Sequence, residues 1–374
     1  MTDSRSFALI ISLALCACAP DSSPIDAPIV DAASDITRED ASATDAPVAD
    51  AVSDSPPADA PIADASTDSA AADASDAAAA LRRCPTSGRG ALTGELCFNI
   101  SAAEAGLNAS GANATEDEYA LRPERGERGI LLLFLHGSGG TPRGVIATPE
   151  SNVYSAARAL GLHVLSVTYR SDDAVGELCS TATDRDTCFL ASRTAIVTGV
   201  ATPGAAAPLA SIALHEGVYA RVSATLLALA QRDPDGRWGQ FSDLSAGGDL
   251  ARAIRWTRIF VAGHSQGGGH AALLAKLHPV RRAVMFSSPC DVTSAAPAAW
   301  LTHDATWATP SSSLFGYGSM GDLVCPGHVP AWGTLGMTAA NRDNTAVVCT
   351  GQTAHSASIK CVENAARWSE LFAF

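Results

Sequence analysis

The sequence predicts an α/β fold, with a mostly parallel central sheet that carries helices on both faces and follows a disordered linker. Short apolar runs of strand length alternate along residues 81–374 with longer runs at helical spacing. One tight glycine turn joins an apolar run directly to a run of strong helix formers. Strands covered by helices on both faces are expected to be continuously apolar. The predicted strands are 129–135, 162–168, 259–262, 282–286, 313–317 and 345–349, and the predicted helices are 152–160, 218–231, 266–277 and 364–374.

The first 18 residues predict a lipoprotein-type signal peptide. A single arginine precedes an apolar run that is too short to span a membrane. The stretch that begins at Leu15 resembles a bacterial lipobox, in which the cysteine becomes the lipidated first residue of the mature protein. On that resemblance we expect lipidation at Cys18, since Leu15 is bulkier than a lipobox usually tolerates directly before Cys16. Lipidation at Cys16, or an ordinary cleaved signal peptide, are the alternatives.

Residues 19–80 predict a disordered linker. They are almost wholly Asp, Ala, Pro, Ser, Thr and Val, a composition that cannot form a packed core. The linker carries fourteen acidic residues and one basic residue, so it accounts for most of the net charge of −14. The remaining domain, 81–374, is therefore close to neutral. It has no basic patch of the kind that binds nucleic acid, so we expect no nucleic-acid partner.

Eight of the ten cysteines lie in the domain 81–374. An even number in a chain with an export signal predicts disulfides, and no Cys-x-x-Cys spacing in this domain favours a zinc site. Eight cysteines allow 105 pairings, among which short loops favour neighbours along the chain. One such bond would pin the stretch 171–215, whose weak periodicity predicts an irregular excursion over the face at the strand ends. The expected pairs are Cys84 with Cys97, Cys179 with Cys188, Cys290 with Cys325, and Cys349 with Cys361.

A glycine-rich turn follows the first predicted strand, with the sequence His-Gly-Ser-Gly-Gly at 136–140. Glycine lets backbone amides approach a bound oxygen closely. A site of acyl transfer needs two such amides, aimed at the oxygen that becomes negatively charged. The turn supplies one of them, which we expect from Ser138, with Gly139 as the alternative.

The run Gly-His-Ser-Gln-Gly at 263–267 is the most informative motif of the chain. Strand, tight turn and helix in that order present a strained serine with its hydroxyl above the sheet. The five-residue pattern alone is weak in a chain rich in glycine and serine, but the flanking strand and helix favour Ser265 as a nucleophile. The second oxyanion amide is then expected from Gln266.

With these two turns the chain resembles the α/β-hydrolase family, in its exported serine esterase and lipase branch. His264 stands at a variable position of that family that usually shapes the turn, so the resemblance implies only that role for it. The resemblance covers roughly residues 128–358 and implies that an acid and a histidine follow the serine along the chain. His355, in a polar loop after the last predicted strand, stands at the family position of the histidine. His328 and His303 are less favoured because they belong to earlier parts of the chain.

The same resemblance implies two positions for the acid. Asp322 would lie on the loop after the seventh family strand, and Asp291, the alternative, on the loop after the sixth. Ser265 would then attack a carboxylic ester, His355 would move the proton, and Asp322 would orient the imidazole through an acyl-enzyme intermediate. No metal and no organic cofactor is required. A peptidase or amidase on the same fold, and a non-catalytic envelope binding protein with a degenerate hydrolase domain, remain the alternatives.

The signal, the linker and the cysteines together predict an exported protein of the cell envelope. It would be anchored to a membrane through its N-terminal lipid, or secreted if the lipobox is not used. We expect a small-molecule, lipid or polymer ester as substrate, and a monomer.

Overall fold

The computed structural model describes residues 82–84, 96–107, 116–123, 125–146, 151–293 and 296–374. The expected signal peptide 1–18 with its lipidation candidate Cys18, and the expected linker 19–80, lie outside the described residues. The described residues form one nine-stranded sheet and eight α-helices. None of their helices is both long and apolar enough to cross a bilayer.

The sheet is mostly parallel, as expected. Its spatial order is β1-β2-β3-β5-β4-β6-β7-β8-β9, in which β4 to β9 run parallel to one another and β1 to β3 form an antiparallel edge. The strands are β1 (Arg82–Arg83), β2 (Cys97–Ile100), β3 (Glu118–Leu121), β4 (Leu131–Leu135), β5 (His163–Ser166), β6 (Ile259–His264), β7 (Arg282–Phe286), β8 (Leu314–Tyr317) and β9 (Arg342–Asp343).

Helices cover both faces of the sheet. Leu131, Leu133 and Leu135 of β4 pack into the core with α3, α4 and α5, whereas Leu132 and Phe134 face the core that contains α1 and α8. Successive strand residues point to opposite faces, so both faces of β4 must be apolar. This arrangement confirms the expected α/β fold, a mostly parallel sheet with helices on both faces. The helices are α1 (Val153–Ala159), α2 (Val175–Leu178), α3 (Arg185–Thr198), α4 (Val218–Arg232), α5 (Gln266–Leu277), α6 (His328–Thr334), α7 (Ala354–Lys360) and α8 (Ala365–Phe372).

The predicted last strand, 345–349, is wrong. The final strand β9 lies earlier in the chain, and residues 346–349 run without regular secondary structure. Side-chain bonds hold this segment in place of a strand ladder: the amide of Val347 donates to Asn364 Oδ1 over 2.9 Å, and Asn364 Nδ2 donates back to the Val347 carbonyl over 3.1 Å. An apolar run therefore forms a tethered loop rather than a strand.

The predicted irregular excursion at 171–215 is also wrong in part, because it contains the 14-residue helix α3. The side chain of Asp184 accepts the amide of Thr187 over 3.0 Å at the start of this helix, and Gly199 ends it at a φ of 70°. The inward face of α3 includes the buried polar residues Ser192 and Arg193. Those two residues obscure the apolar periodicity that identifies a helix.

The described cysteines form four disulfides that join neighbours along the chain, in the expected order. One of them links the loop after β7 to the loop after β8, and another brackets α7. The pairs are Cys84–Cys97, Cys179–Cys188, Cys290–Cys325 and Cys349–Cys361.

Candidate active site

The predicted nucleophile lies on a sharp turn between β6 and α5. Ser265 has φ 54° and ψ −122°, a conformation that side-chain-bearing residues rarely adopt. Two glycines make the turn possible: a Cβ on Gly263 would lie 2.3 Å from the backbone of Gly267, and a Cβ on Gly267 would lie 2.1 Å from the carbonyl of Leu135. The Ser265 amide also donates to the Phe286 carbonyl over 3.0 Å. The close packing of strand and helix therefore imposes the strained conformation.

The structure brings His355 to Asp322. Nδ1 of His355 lies 2.8 Å from Oδ2 of Asp322, which sits on the loop after β8. His355 is the second residue of α7 rather than part of an irregular loop as expected, because the side chain of Thr353 accepts the Ser356 amide and caps the helix there. His355 and Ser265 line the same cavity of about 390 Å³.

Asp322 is held as a carboxylate. Its Oδ1 accepts the amides of Val324 and Cys325, each over 3.0 Å. Burial by itself would raise the pKa of Asp322, but the hydrogen bonds from His355 and from the Cys325 amide lower it below its ordinary value. An ionised Asp322 accepts a hydrogen bond from the Nδ1–H of His355, which leaves the lone pair of the imidazole on Nε2.

Asp291, the alternative acid, lies in a different network. Arg193 of α3 donates from Nε to Asp291 Oδ2 over 2.6 Å and from Nη2 to Oδ1, and both side chains are buried. Trp300 Nε1 donates to the same Oδ2 over 2.9 Å. The structure therefore places Asp322 beside His355 and pairs Asp291 with Arg193.

Arg193 connects this network to the nucleophile turn, a link that the sequence did not indicate. Its Nη1 donates to the carbonyl of Gln266 over 2.9 Å. A Cβ on Gly269, on the next turn of α5, would lie 2.2 Å from the guanidinium. Because 98 positions separate Arg193 from Asp291, no local pattern could have paired them.

The two predicted oxyanion donors are adjacent. Ser138 Oγ donates to Gln266 Oε1 over 2.9 Å, and the amide of Val175 donates to the same oxygen over 2.9 Å. The amide of Gly139, the alternative donor, is engaged with the carbonyl of Ser171 over 2.7 Å. Ser138 thus stands beside Gln266, while Gly139 serves to fix the turn.

Ser288 contacts the peptide that joins Ser265 to Gln266. Its hydroxyl donates to the Ser265 carbonyl over 2.6 Å. That carbonyl and the Gln266 N–H belong to one peptide group, so a bond to the oxygen polarises the N–H. Ser288 would in this way strengthen a donor aimed at an oxyanion.

His264 holds the backbone of the predicted histidine. Its Nε2 lies 2.9 Å from the carbonyl of His355, and the two ring centres are 4.7 Å apart. Burial, followed by the positive charge that His355 can carry, lowers the pKa of His264 to about 3. His264 is therefore neutral near pH 7 and donates its Nε2 proton to that carbonyl, a role beyond the shaping of the turn that the sequence suggested.

Two further histidines lie under the site without contacting Asp322. The ring of His136 stacks on Tyr169 at 4.6 Å, and Tyr169 meets His270 edge to face at 5.2 Å. Burial lowers the pKa of His136 to about 4 and that of His270 well below its ordinary value. Both rings are therefore neutral packing groups near pH 7.

No family model and no curated protein matches the chain. Among solved structures, an alpha-beta serine hydrolase homologue from Coxiella burnetii is similar, with a TM-score of 0.40, 14% identity and coverage of 75% of this chain and 99% of that one. An S-formylglutathione hydrolase from Agrobacterium tumefaciens has a TM-score of 0.37 and 16% identity, over 74% of this chain and 95% of that one. A lidless a/b serine hydrolase from Xanthomonas campestris has a TM-score of 0.33 and 12% identity, over 68% and 84%. Similarity this distant carries no functional conclusion.

Proposed function

We propose that the protein is a serine hydrolase of carboxylic esters, with Ser265 as nucleophile, His355 as base and Asp322 as acid. One observation carries the proposal: His355, which is bonded to Asp322 over 2.8 Å, lines the same cavity as Ser265, which is held at a strained turn. A strained nucleophile, a base and a group that orients the base are the parts that acyl transfer needs.

In this mechanism Ser265 Oγ attacks the ester carbonyl while His355 Nε2 takes its proton. Asp322 stabilises the imidazolium that forms, and the amides of Ser138 and Gln266 hold the oxyanion. His355 then gives the proton to the leaving alcohol, and the acyl group stays on Ser265. A water molecule repeats the sequence, releases the acid and restores the enzyme.

The variant Ser265→Ala tests the nucleophile. We expect it to abolish turnover of a short chromogenic ester and covalent labelling by an organophosphonate probe, because no other group carries the attack. Ser369→Ala, on α8 away from the cavity, is the matched control and should retain both. Labelling that persists in Ser265→Ala would contradict the assignment.

A substrate panel separates this function from its alternatives. Acyl esters and acyl anilides with the same acyl group present the same carbonyl with different leaving groups. Turnover of esters supports the proposal, whereas turnover of anilides alone would make the protein an amidase or peptidase. Failure of both, with no labelling of Ser265, would point to a non-catalytic envelope binding protein.

We further propose that the protein is exported and anchored through a lipid on Cys18. The four disulfides of the described residues support an oxidising compartment. Cys18→Ala should move the protein from the membrane fraction to the soluble fraction, whereas Cys16→Ala should leave it on the membrane. The reverse result would place the lipid on Cys16, and no effect of either variant would overturn the anchor.

A further inference from the structure

We infer that the site is built for esters of short acids with larger alcohols, because two cavities of unequal size meet at Ser265 and only the larger one reaches His355. This inference rests on the proposed function. We call the smaller cavity, of about 210 Å³, the acyl lobe, and the larger one, of about 390 Å³, the alcohol lobe.

The two lobes are joined at the nucleophile. Both are lined by Ser138, Ala174, Glu177, Ser265 and Val324. A substrate whose carbonyl carbon lies at the Ser265 hydroxyl can therefore extend into both lobes at once. The two substituents of an ester carbonyl, its acyl chain and its alcohol, need two such spaces.

The chemistry of the leaving group decides which lobe takes which substituent. His355 must reach the ester oxygen to protonate it, so the alcohol departs on the side of His355. His355 lines the larger lobe, together with Ser356 and Thr141. Gln266, whose amide is a proposed oxyanion donor, lines only the smaller lobe, which His355 does not line. The acyl chain consequently enters the smaller lobe.

The residues that line one end of the acyl lobe are fixed and cannot move aside for a longer acyl chain. A volume of 210 Å³ has room for about seven groups of the size of a water molecule. The buried ion pair of Arg193 and Asp291 lines this lobe, and Trp300 and the Gln266 carbonyl hold it from two further sides. Cys290, fixed by its disulfide, lines the lobe as well. A longer acyl chain would have to displace a buried, fully paired charge, which is strongly unfavourable.

One glycine in each lobe provides a matched pair of variants. Gly176 lines only the acyl lobe, and a Cβ there would meet no atom within 4 Å. Gly144 lines only the alcohol lobe, where a Cβ would lie 3.2 Å from the rotatable hydroxyl of Thr141. Neither glycine has a positive φ, so leucine at either position fills a lobe without straining the backbone.

The experiment compares p-nitrophenyl acetate, butyrate and dodecanoate, which share one leaving group. Dodecanoate carries more carbon atoms beyond its carbonyl than the acyl lobe can hold, so for the unmodified protein we expect its kcat/KM to be at least about tenfold below that for butyrate. Gly176→Leu should lower kcat/KM for butyrate relative to acetate by about tenfold. Gly144→Leu should leave that ratio unchanged. It should instead lower kcat/KM for acetate esters, and the loss should grow as the alcohol becomes larger.

Three results separate the possibilities. Dodecanoate turned over as well as butyrate would overturn the size limit of the acyl lobe. A change of the butyrate to acetate ratio in Gly144→Leu but not in Gly176→Leu would show that the lobes are assigned the wrong way round. If the unmodified protein turns over none of these esters and Ser265 is not labelled, the proposed function is refuted, and the lobe assignment with it. The thermal midpoint and the labelling rate of each variant verify that it is folded.

Discussion

Two carboxylates stand near the nucleophile turn, and each has a different partner. Asp322 accepts from His355, whereas Asp291 accepts from Arg193 and Trp300. Both are buried, and both lie on loops that follow neighbouring strands of the sheet. The difference in partner, rather than in position along the chain, decides which of them serves the imidazole.

Asparagine variants distinguish the two acids. Asp322→Asn should lower kcat by about three to four orders of magnitude with little change in KM, because the imidazole loses the partner that fixes its proton on Nδ1. Asp291→Asn should instead lower the free energy of unfolding by about 3–5 kcal/mol, since the charge of Arg193 stays buried without its counter-ion. Steady-state kinetics and urea unfolding measure both effects. A larger loss of kcat in folded Asp291→Asn than in Asp322→Asn would make Asp291 the acid.

His264 acts through the backbone of His355, and its role has a separate test. His264→Phe removes the Nε2 donor but keeps a ring, and the loss of one hydrogen bond should lower kcat by about tenfold with KM unchanged. His264→Gln carries an amide donor and should recover part of that loss. The profile of kcat against pH distinguishes positioning from simple destabilisation, because a misplaced His355 changes the acid limb. If both variants and the unmodified protein have identical kinetics, the hydrogen bond between His264 and the His355 carbonyl does not contribute to catalysis.

The sequence indicates some residues of the site and hides others, for a physical reason. Ser265 is found because its strained turn demands small neighbours at fixed spacing, a signal contained in five residues. Ser288 and Arg193 carry no such signal. Their partners lie 23 and 73 positions away, at the Ser265 and Gln266 carbonyls, so only the folded chain brings them together.

At the scale of the elements, disulfides hold the loop that carries the proposed acid, Asp322, and the helix α7 that carries the proposed base, His355. The amide of Cys325 is one of the two that bind Asp322 Oδ1, and Cys325 is bonded to Cys290 on the preceding loop. The Cys349–Cys361 bond closes the chain around α7, which carries His355. The catalytic geometry proposed above therefore depends on covalent bonds between loops as well as on the sheet.

Paired alanine variants measure that dependence. Cys290→Ala with Cys325→Ala should lower kcat of the folded protein by about tenfold or more, because Asp322 loses the fixed backbone that binds it. The matched control is Cys84→Ala with Cys97→Ala, at the antiparallel edge of the sheet, which should affect stability and leave kcat unchanged. Activity is measured well below the thermal midpoint of each variant. Equal losses of kcat in the two pairs would remove the special role of the Cys290–Cys325 bond.

The elements themselves were predictable where one type of residue repeats. The buried strand at 282–286 and the helix at 266–277 match β7 and α5 in both limits, because apolar runs and strong helix formers are local signals. The antiparallel strands β1 to β3 were not predicted: each has at most four residues, and they include Arg, Asn and Glu. Pairing with neighbours far along the chain stabilises such short strands, and no local pattern reports it.

At the scale of the whole molecule, buried titratable groups make the stability of the fold depend on pH. Burial lowers the folded-state pKa of five histidines below 6.5: to about 3 for His264, to about 4 for His136 and His278, and below the ordinary value for His163 and His270 as well. Below pH 6.5 the unfolded chain therefore binds as many as five protons that the folded chain does not. Glu118 acts in the opposite direction. Burial, partly offset by Arg221, raises its pKa from 4.5 to about 7, so between those values the folded chain binds the extra proton.

The balance of these groups predicts a protein that is less stable in acid. As many as five protons taken up by the unfolded chain outweigh the one taken up by the folded chain on Glu118. The free energy of unfolding should then fall by more than about 1.4 kcal/mol per pH unit between pH 6.5 and 5. Urea unfolding at the two pH values measures it, and His270→Gln should flatten the dependence by removing one titrating ring. A denaturation midpoint that does not move between pH 6.5 and 5 would contradict the prediction.

Under the proposed function, the bonds beside Asp322 and His355 would also determine when the protein first becomes active. A chain that is still in a reducing compartment carries eight thiols in place of the four bonds, so neither the acid nor the histidine is clamped. Under the proposed function, the esters of the cell that makes the protein would be spared until those thiols oxidise. Oxidation would then activate the protein as removal of a pro-segment activates a zymogen, but without cleavage of the chain.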